Sequence, residues 1–209
     1  MASKQSLFFT SIFLIFLINS CLAQKSSPLV GGPCQGCEAL HEYGSRILRA
    51  VDTLPAFEEN EPKLHIQGKV YHKDGITPAS EVILYIYHTN RSGMYEKKGD
   101  ETGWAKRHGY IRGWIKTGSD GKYEFYSFRP AAYPDQREAE HIHMILKEPG
   151  KNEYYIENLF FEDDPLFISL NQKKRNPRGG SGIVKPVRKG RMLEVERDII
   201  LGLNIPNYK

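Results

Sequence analysis

The chain is poor in several things that would decide a class at once. It has three cysteines in 209 residues, and only Cys34 and Cys37 form a CxxC, so no second pair exists to complete a four-cysteine zinc site. A net charge of +4 is too small to signal a nucleic-acid surface on its own, and none is expected. The Gly-rich basic stretch between Asn171 and Arg191, with Arg178-Gly179-Gly180-Ser181-Gly182, lacks a GKS/GKT match and reads as a surface loop rather than a phosphate cradle. Long apolar runs are also missing. The one candidate, Leu7-Phe8-Phe9 with the run 12–18, is too short for an ordinary membrane span and has the length of a signal-peptide core.

That N-terminal run predicts export: a periplasmic protein, an outer-membrane-anchored lipoprotein or a secreted one. Cleavage after Ala23 would release a soluble chain. Alternatively 17–21 resembles a lipobox, in which Cys21 would carry a lipid, the only membrane attachment expected. Residues 1–23 hold a single lysine and no acid, so their removal leaves the charge balance almost unaltered. The expected division is a signal at 1–23, an extension with the CxxC and a short helix at 24–60, and one domain at 61–209. In an oxidising compartment Cys34 and Cys37 are expected to form a local disulfide.

What is abundant is aromatic and turn-forming: 12 tyrosines, 10 phenylalanines, 19 glycines and 12 prolines. This content argues against disorder and against a coiled coil. Residues 38–51 place Leu40, Ile47, Leu48 and Val51 on one helical face, predicting a short N-terminal helix. Beyond it the period becomes two. Leu64, Ile66, Gly68 and Val70 alternate, and Lys73-Asp74-Gly75 reads as a turn. Strands are expected at 82–88, 114–117, 123–128, 141–146, 154–161 and 193–201. Ser119-Asp120-Gly121 reads as a hairpin between two of them. The fold class is all-β, a β-sandwich with a short N-terminal helix.

The chemistry concentrates at His141-Ile142-His143. Histidines at i and i+2 of a strand share a face and can chelate one ion. Around them stand the marks "DGKYEF", "RPAAYP", "HIH" and "FFEDDPL", in an order that resembles the intradiol ring-cleavage dioxygenases, the family of protocatechuate and catechol dioxygenases. The likeness runs from about Leu64 to Pro165.

The resemblance implies one mononuclear non-haem Fe³⁺ held by two tyrosines and two histidines. Position by position these are Tyr95, Tyr133, His141 and His143, with Tyr110 the main rival to Tyr95. It further implies that Tyr133 is displaced by substrate and acts as base, and that a catechol-type aromatic reacts with O₂ and opens between its hydroxyls to a muconate-type product. Phenolate suits this ion, because only a strong Lewis acid keeps two tyrosines ionised at neutral pH. The family usually carries Arg three places before the first histidine. Here that place is Glu138 and the arginine is Arg137, expected to supply positive charge to substrate. Asn158 stands where a Gln is common, and Arg112 is a second electrostatic candidate. Glu138 and Glu140 argue against a carboxylate-bearing substrate. His88 and His108 read as ordinary polar residues, and Tyr85 and Tyr87 as packing. The alternative function is an exported iron- or catechol-binding sandwich without turnover. An oligomer is compatible with the sequence.

Overall fold

The computed structural model describes residues 28–170 and 176–209. The signal region, Cys21 and the processing site at Ala23 lie outside the described residues. The strands are β1 (Val51–Thr53), β2 (Lys63–Tyr71), β3 (Ile83–Tyr87), β4 (Arg112–Lys116), β5 (Lys122–Phe128), β6 (His141–Lys147), β7 (Tyr154–Tyr155), β8 (Leu159–Phe161), β9 (Ile183–Val184), β10 (Val187–Lys189), β11 (Met192–Glu196) and β12 (Ile199–Ile200). Two short helices, α1 (Ala105–His108) and α2 (Pro165–Leu170), join them. Among the described residues no helix is long and apolar enough to cross a membrane.

The strands form two sheets. One runs β1-β5-β2-β11-β10 with β12 also on β2, and the other β4-β3-β6-β8-β9 with β7 also on β6. Period-two alternation explains how they face each other. Leu64, Ile66 and Val70 of β2 and Phe125 of β5 meet Leu84 and Ile86 of β3 and Ile142, Met144 and Leu146 of β6 in one buried core. The fold is an all-β sandwich, as the sequence predicts. The same alternation turns Tyr85, Tyr87, Trp114, His143 and Ile145 to the opposite side of the second sheet. There Tyr85, Trp114 and Ile145 form a separate buried cluster with Cys37, Ala39 and Leu40.

Several local expectations are corrected. The helix predicted at 38–51 is only a 3-10 turn, Cys37–His41. Gly44 follows at φ 61°, a left-handed conformation that a helix cannot continue through. Downstream, the carbonyls of Arg49 and Ala50 accept from the N–H groups of Lys116 and Glu124. Ile47, assigned to the apolar face, is 89% exposed. The predicted hairpin at 119–121 is instead a crossing between sheets. β4 pairs with β3 and β5 with β2, because Ile115 and Phe125 enter one core from opposite sides. Gly121, at φ 70°, passes so close to the Val70 carbonyl that a Cβ would stand 2.6 Å from its oxygen.

The expected strand at 154–161 is broken into β7 and β8, and the one at 193–201 into β11 and β12. Part of the expected surface loop is sheet: β9 runs parallel to β8 and β10 antiparallel to β11. Gly182 permits the first, since a Cβ there would lie 1.9 Å from the Asn158 carbonyl oxygen. Val51–Thr53, upstream of residue 61, is hydrogen-bonded into the sandwich beside β5.

Candidate metal centre

Two loops and one strand bring four side chains together. His141 and His143 leave the same face of β6. Tyr95 comes from the loop after β3, and Tyr133 from the loop between β5 and β6. The loops are laced to each other: Thr89 Oγ1 donates to the Ala131 carbonyl, Ala131 N–H to the Asn90 carbonyl, and the Arg91 guanidinium to the carbonyls of Arg129 and Pro130. Gly93 makes the approach possible, because a Cβ at this φ 74° position would stand 2.1 Å from the Ala132 carbonyl oxygen.

The donor atoms converge. Tyr95 Oη lies 2.5 Å from Tyr133 Oη and 2.7 Å from His143 Nε2. Tyr133 Oη lies 3.3 Å from His141 Nε2 and 3.4 Å from His143 Nε2, and the two Nε2 atoms are 3.1 Å apart. His141 Nδ1 is 2.7 Å from the Ala139 carbonyl. A carbonyl only accepts, so the proton is on Nδ1 and the Nε2 lone pair faces the cluster. Asn158 hydrogen-bonds His143. Burial lowers both imidazole pKa values, His143 far below its usual range. Both are therefore neutral, the form that ligates.

Burial also pushes both phenols up, and at Tyr95 the neighbouring Tyr133 adds to it. Ionising the two together requires a strong local positive charge. Donor separations of this size are those between ligands of one ion with bonds of about 2 Å. Among the described residues no three His, Cys, Asp or Glu side chains gather as a metal cluster. The converging set consists of two phenols and two imidazoles, hard oxygen and borderline nitrogen donors that fit a ferric ion.

Tyr110, the rival, lies elsewhere: its N–H donates to the Glu96 carbonyl and Lys98 covers its ring. Arg137 is not brought to the cluster. Its side chain is 83% exposed and pairs with Asp135 at 3.2 Å. Arg112 bonds Glu42 at 2.6 Å and lies over the Trp114 ring. Glu140 is held by Arg129, whereas Glu138 reaches 3.5 Å from His141 Nε2. His88 turns to the core side and bonds Ser127 Oγ at 2.7 Å and the Thr89 carbonyl.

Tyr87 has a larger part than packing suggests. β3 and β6 pair in the register Tyr87↔His143, and their rings stack at 4.5 Å between centroids. His108 covers the other face of Tyr87 at 3.8 Å and is itself fixed by Tyr85 Oη, 2.9 Å from its Nδ1. The period-two spacing of Tyr85 and Tyr87 was the available signal. A cavity of about 280 Å³ opens beside His143, walled by Tyr87, Asn158 and Tyr155 and rimmed by Pro33, Cys34 and Gln35.

Residues 43–175 match the family model described as Dioxygenase. Catechol 1,2-dioxygenase 1 of Acinetobacter lwoffii is 30% identical over 140 residues, covering 64% of this chain and 43% of the relative. The protocatechuate 3,4-dioxygenase beta chain of Burkholderia cepacia is 25% identical over 136 residues, covering 59% and 57%. The chain thus spans about half the length of the curated relatives it matches. Two solved structures share the fold. The dioxygenase domain of a dioxygenase–carbohydrate-binding fusion from Streptomyces sp. SirexAA-E has TM-score 0.53 and 23% identity, covering 66% of this chain and 79% of that one. Catechol 1,2-dioxygenase from Pseudomonas arvilla C-1 has TM-score 0.55 and 16% identity, covering 83% and 60%. With the family model matching well over half of its residues, the chain belongs to the intradiol ring-cleavage dioxygenase family.

Proposed function

We propose that this protein is an exported ferric dioxygenase that opens a catechol-type ring between its two hydroxyls. The observation that carries the proposal is the convergence of Tyr95 Oη, Tyr133 Oη and the Nε2 atoms of His141 and His143, five of whose six separations are 2.5–3.4 Å. Those four residues would hold the ion. When bound, ferric iron supplies the Lewis acidity that keeps the phenols ionised and the redox partner through which a catechol's electrons reach dioxygen.

The protein's own residues then do three things. Tyr133 is the donor that leaves, the part the family resemblance implies for it, and its Oη receives a proton from a substrate hydroxyl as the catechol takes its place. Tyr95, whose ring lies against Tyr87 at 5.8 Å between centroids, stays. Asn158 and the Ala139 carbonyl fix the two imidazoles. In the overall reaction the C–C bond between the hydroxyl-bearing carbons breaks, both oxygens of O₂ enter the product, and a muconate-type diacid forms with no other co-reactant. The Cys34–Cys37 disulfide and the apolar N-terminal run support action outside the reducing cytoplasm.

The test is reconstitution with Fe³⁺. A visible phenolate-to-iron absorption, oxygen uptake with catechol and a product 32 mass units heavier are expected. A colourless reconstituted protein overturns the ferric site. Colour without oxygen uptake across a catechol panel overturns turnover and assigns capture instead.

A further inference from the structure

Residues 30–40 cross the outer side of the second sheet as a strap fixed at both ends. At one end the Val30 N–H and carbonyl bond the Asn152 amide at 3.0 and 2.9 Å. Gly31 N–H donates to the Pro206 carbonyl at 2.8 Å. At the other end Cys37, Ala39 and Leu40 are buried against Tyr85, Trp114 and Ile145, and Trp114 Nε1 donates to the Ala39 carbonyl at 3.3 Å. Between the anchors the Cys34–Cys37 disulfide closes a turn. Gly36 occupies its left-handed position at φ 88°, where a Cβ would press on His108 Nε2 at 3.0 Å. The turn is thereby seated on the ring that stacks on Tyr87, and Tyr87 stacks on His143.

The same turn presents Pro33, Cys34 and Gln35 to the 280 Å³ cavity beside His143. A cavity of ~150 Å³ accommodates benzene, so this one holds an aromatic ring and a substituent of several atoms. A catechol chelating through its two oxygens turns the opposite edge of its ring away from the donors. Among the lining residues Gln35 offers an exposed amide side chain and Glu157 a carboxylate that interacts with Arg197, and none is a lysine or arginine, while the Arg178 guanidinium is spent on the Tyr155 ring at 3.9 Å.

We infer that the disulfide-pinned turn is the specificity-determining rim of this cavity, admitting catechols with a compact, neutral polar substituent that meets Gln35. The inference rests on the proposed ring-opening function, whose site it completes. A disulfide across so short a loop removes less chain entropy than one closing a long loop. Its main effect is to hold Gln35 in place.

The test is anaerobic binding to the ferric protein, followed by the change in visible absorption as catechol, 4-methoxycatechol and 4-tert-butylcatechol are titrated in. Thermal melting confirms folding of each variant. In Gln35→Trp the Kd for 4-tert-butylcatechol divided by that for catechol is expected to rise at least tenfold. In Gln35→Ala it is expected to fall at least threefold, and the preference for 4-methoxycatechol to be lost. Cys34→Ser, which frees the turn, also lowers the ratio. Ratios within twofold of wild type in both Gln35 variants overturn the rim, and an unchanged ratio in Cys34→Ser overturns the part played by the disulfide. A wild-type ferric protein that responds to none of the three overturns the function itself and the rim with it.

Discussion

The Glu138 carboxylate lies 3.5 Å from His141 Nε2, so a negative charge stands beside the donor cluster at the place where the family resemblance implies arginine. Glu140, two residues on, is paired with Arg129, which it shares with Asp163. Glu138 is half-exposed, which limits its effect to roughly 1 kcal/mol on a nearby anion. Wild-type protein is therefore expected to prefer catechol to protocatechuate. In Glu138→Gln the kcat/KM for protocatechuate relative to catechol should rise about fivefold. A ratio unmoved by the substitution would show that Glu138 does not read substrate charge.

Tyr133 and Tyr95 have different expected roles although their hydroxyls touch. Tyr133→Phe removes the proton acceptor and should lower kcat by about 10²–10⁴. Its ferric form should keep a weakened visible band, because the Tyr95 phenolate remains. Tyr110→Phe, whose ring is covered by Lys98 and is not among the converging donors, should alter neither. Full activity in Tyr133→Phe rules out its part as base.

The parts of this arrangement that were legible in the sequence are those with a short-range signature. HxH on a strand needs only the two-residue period, and the core faces of β2, β3 and β6 follow from the same rule. The failures lie where a local signal has two outcomes. Ser119-Asp120-Gly121 has hairpin chemistry, but whether its strands share a sheet depends on which side of the core they fill. Residues 38–51 have a helical period, but Gly44 and the hydrogen bonds claimed by β4 and β5 decide against a helix. Tyr87 gained its place only through the register of β3 on β6. The charge of Arg137 could be read but not its direction, which Asp135 and the solvent determine.

That register carries a prediction of its own. Tyr87 is clamped between His108 and His143, at 3.8 and 4.5 Å between ring centroids, and so fixes the plane of a ligand ring. Residues that orient a ligand typically matter 10- to 100-fold for metal affinity. Tyr87→Leu is expected to weaken ferric iron binding about tenfold, measured by competition with a chelator. Tyr87→Phe keeps the stack and should stay within about twofold of wild type. If Phe loses as much as Leu, the hydroxyl rather than the stack is responsible.

His88 gives the clearest pH dependence of stability. It is fully buried, and desolvation holds its pKa at about 4, against an ordinary value of 6.5. Its bonds to Ser127 and to the Thr89 carbonyl suit the neutral ring. The unfolded chain protonates this histidine as pH falls below 6.5 while the folded protein does not, so its contribution to stability is complete above that value. It is lost progressively down to about pH 4, a change on the order of 3 kcal/mol. Urea denaturation of the iron-free protein at pH 7, 5.5 and 4.5 should show a falling midpoint. His88→Gln, destabilised at pH 7 by loss of the buried imidazole, should show a shallower fall over the same range. Equal slopes in the two proteins would assign the acid sensitivity to other groups.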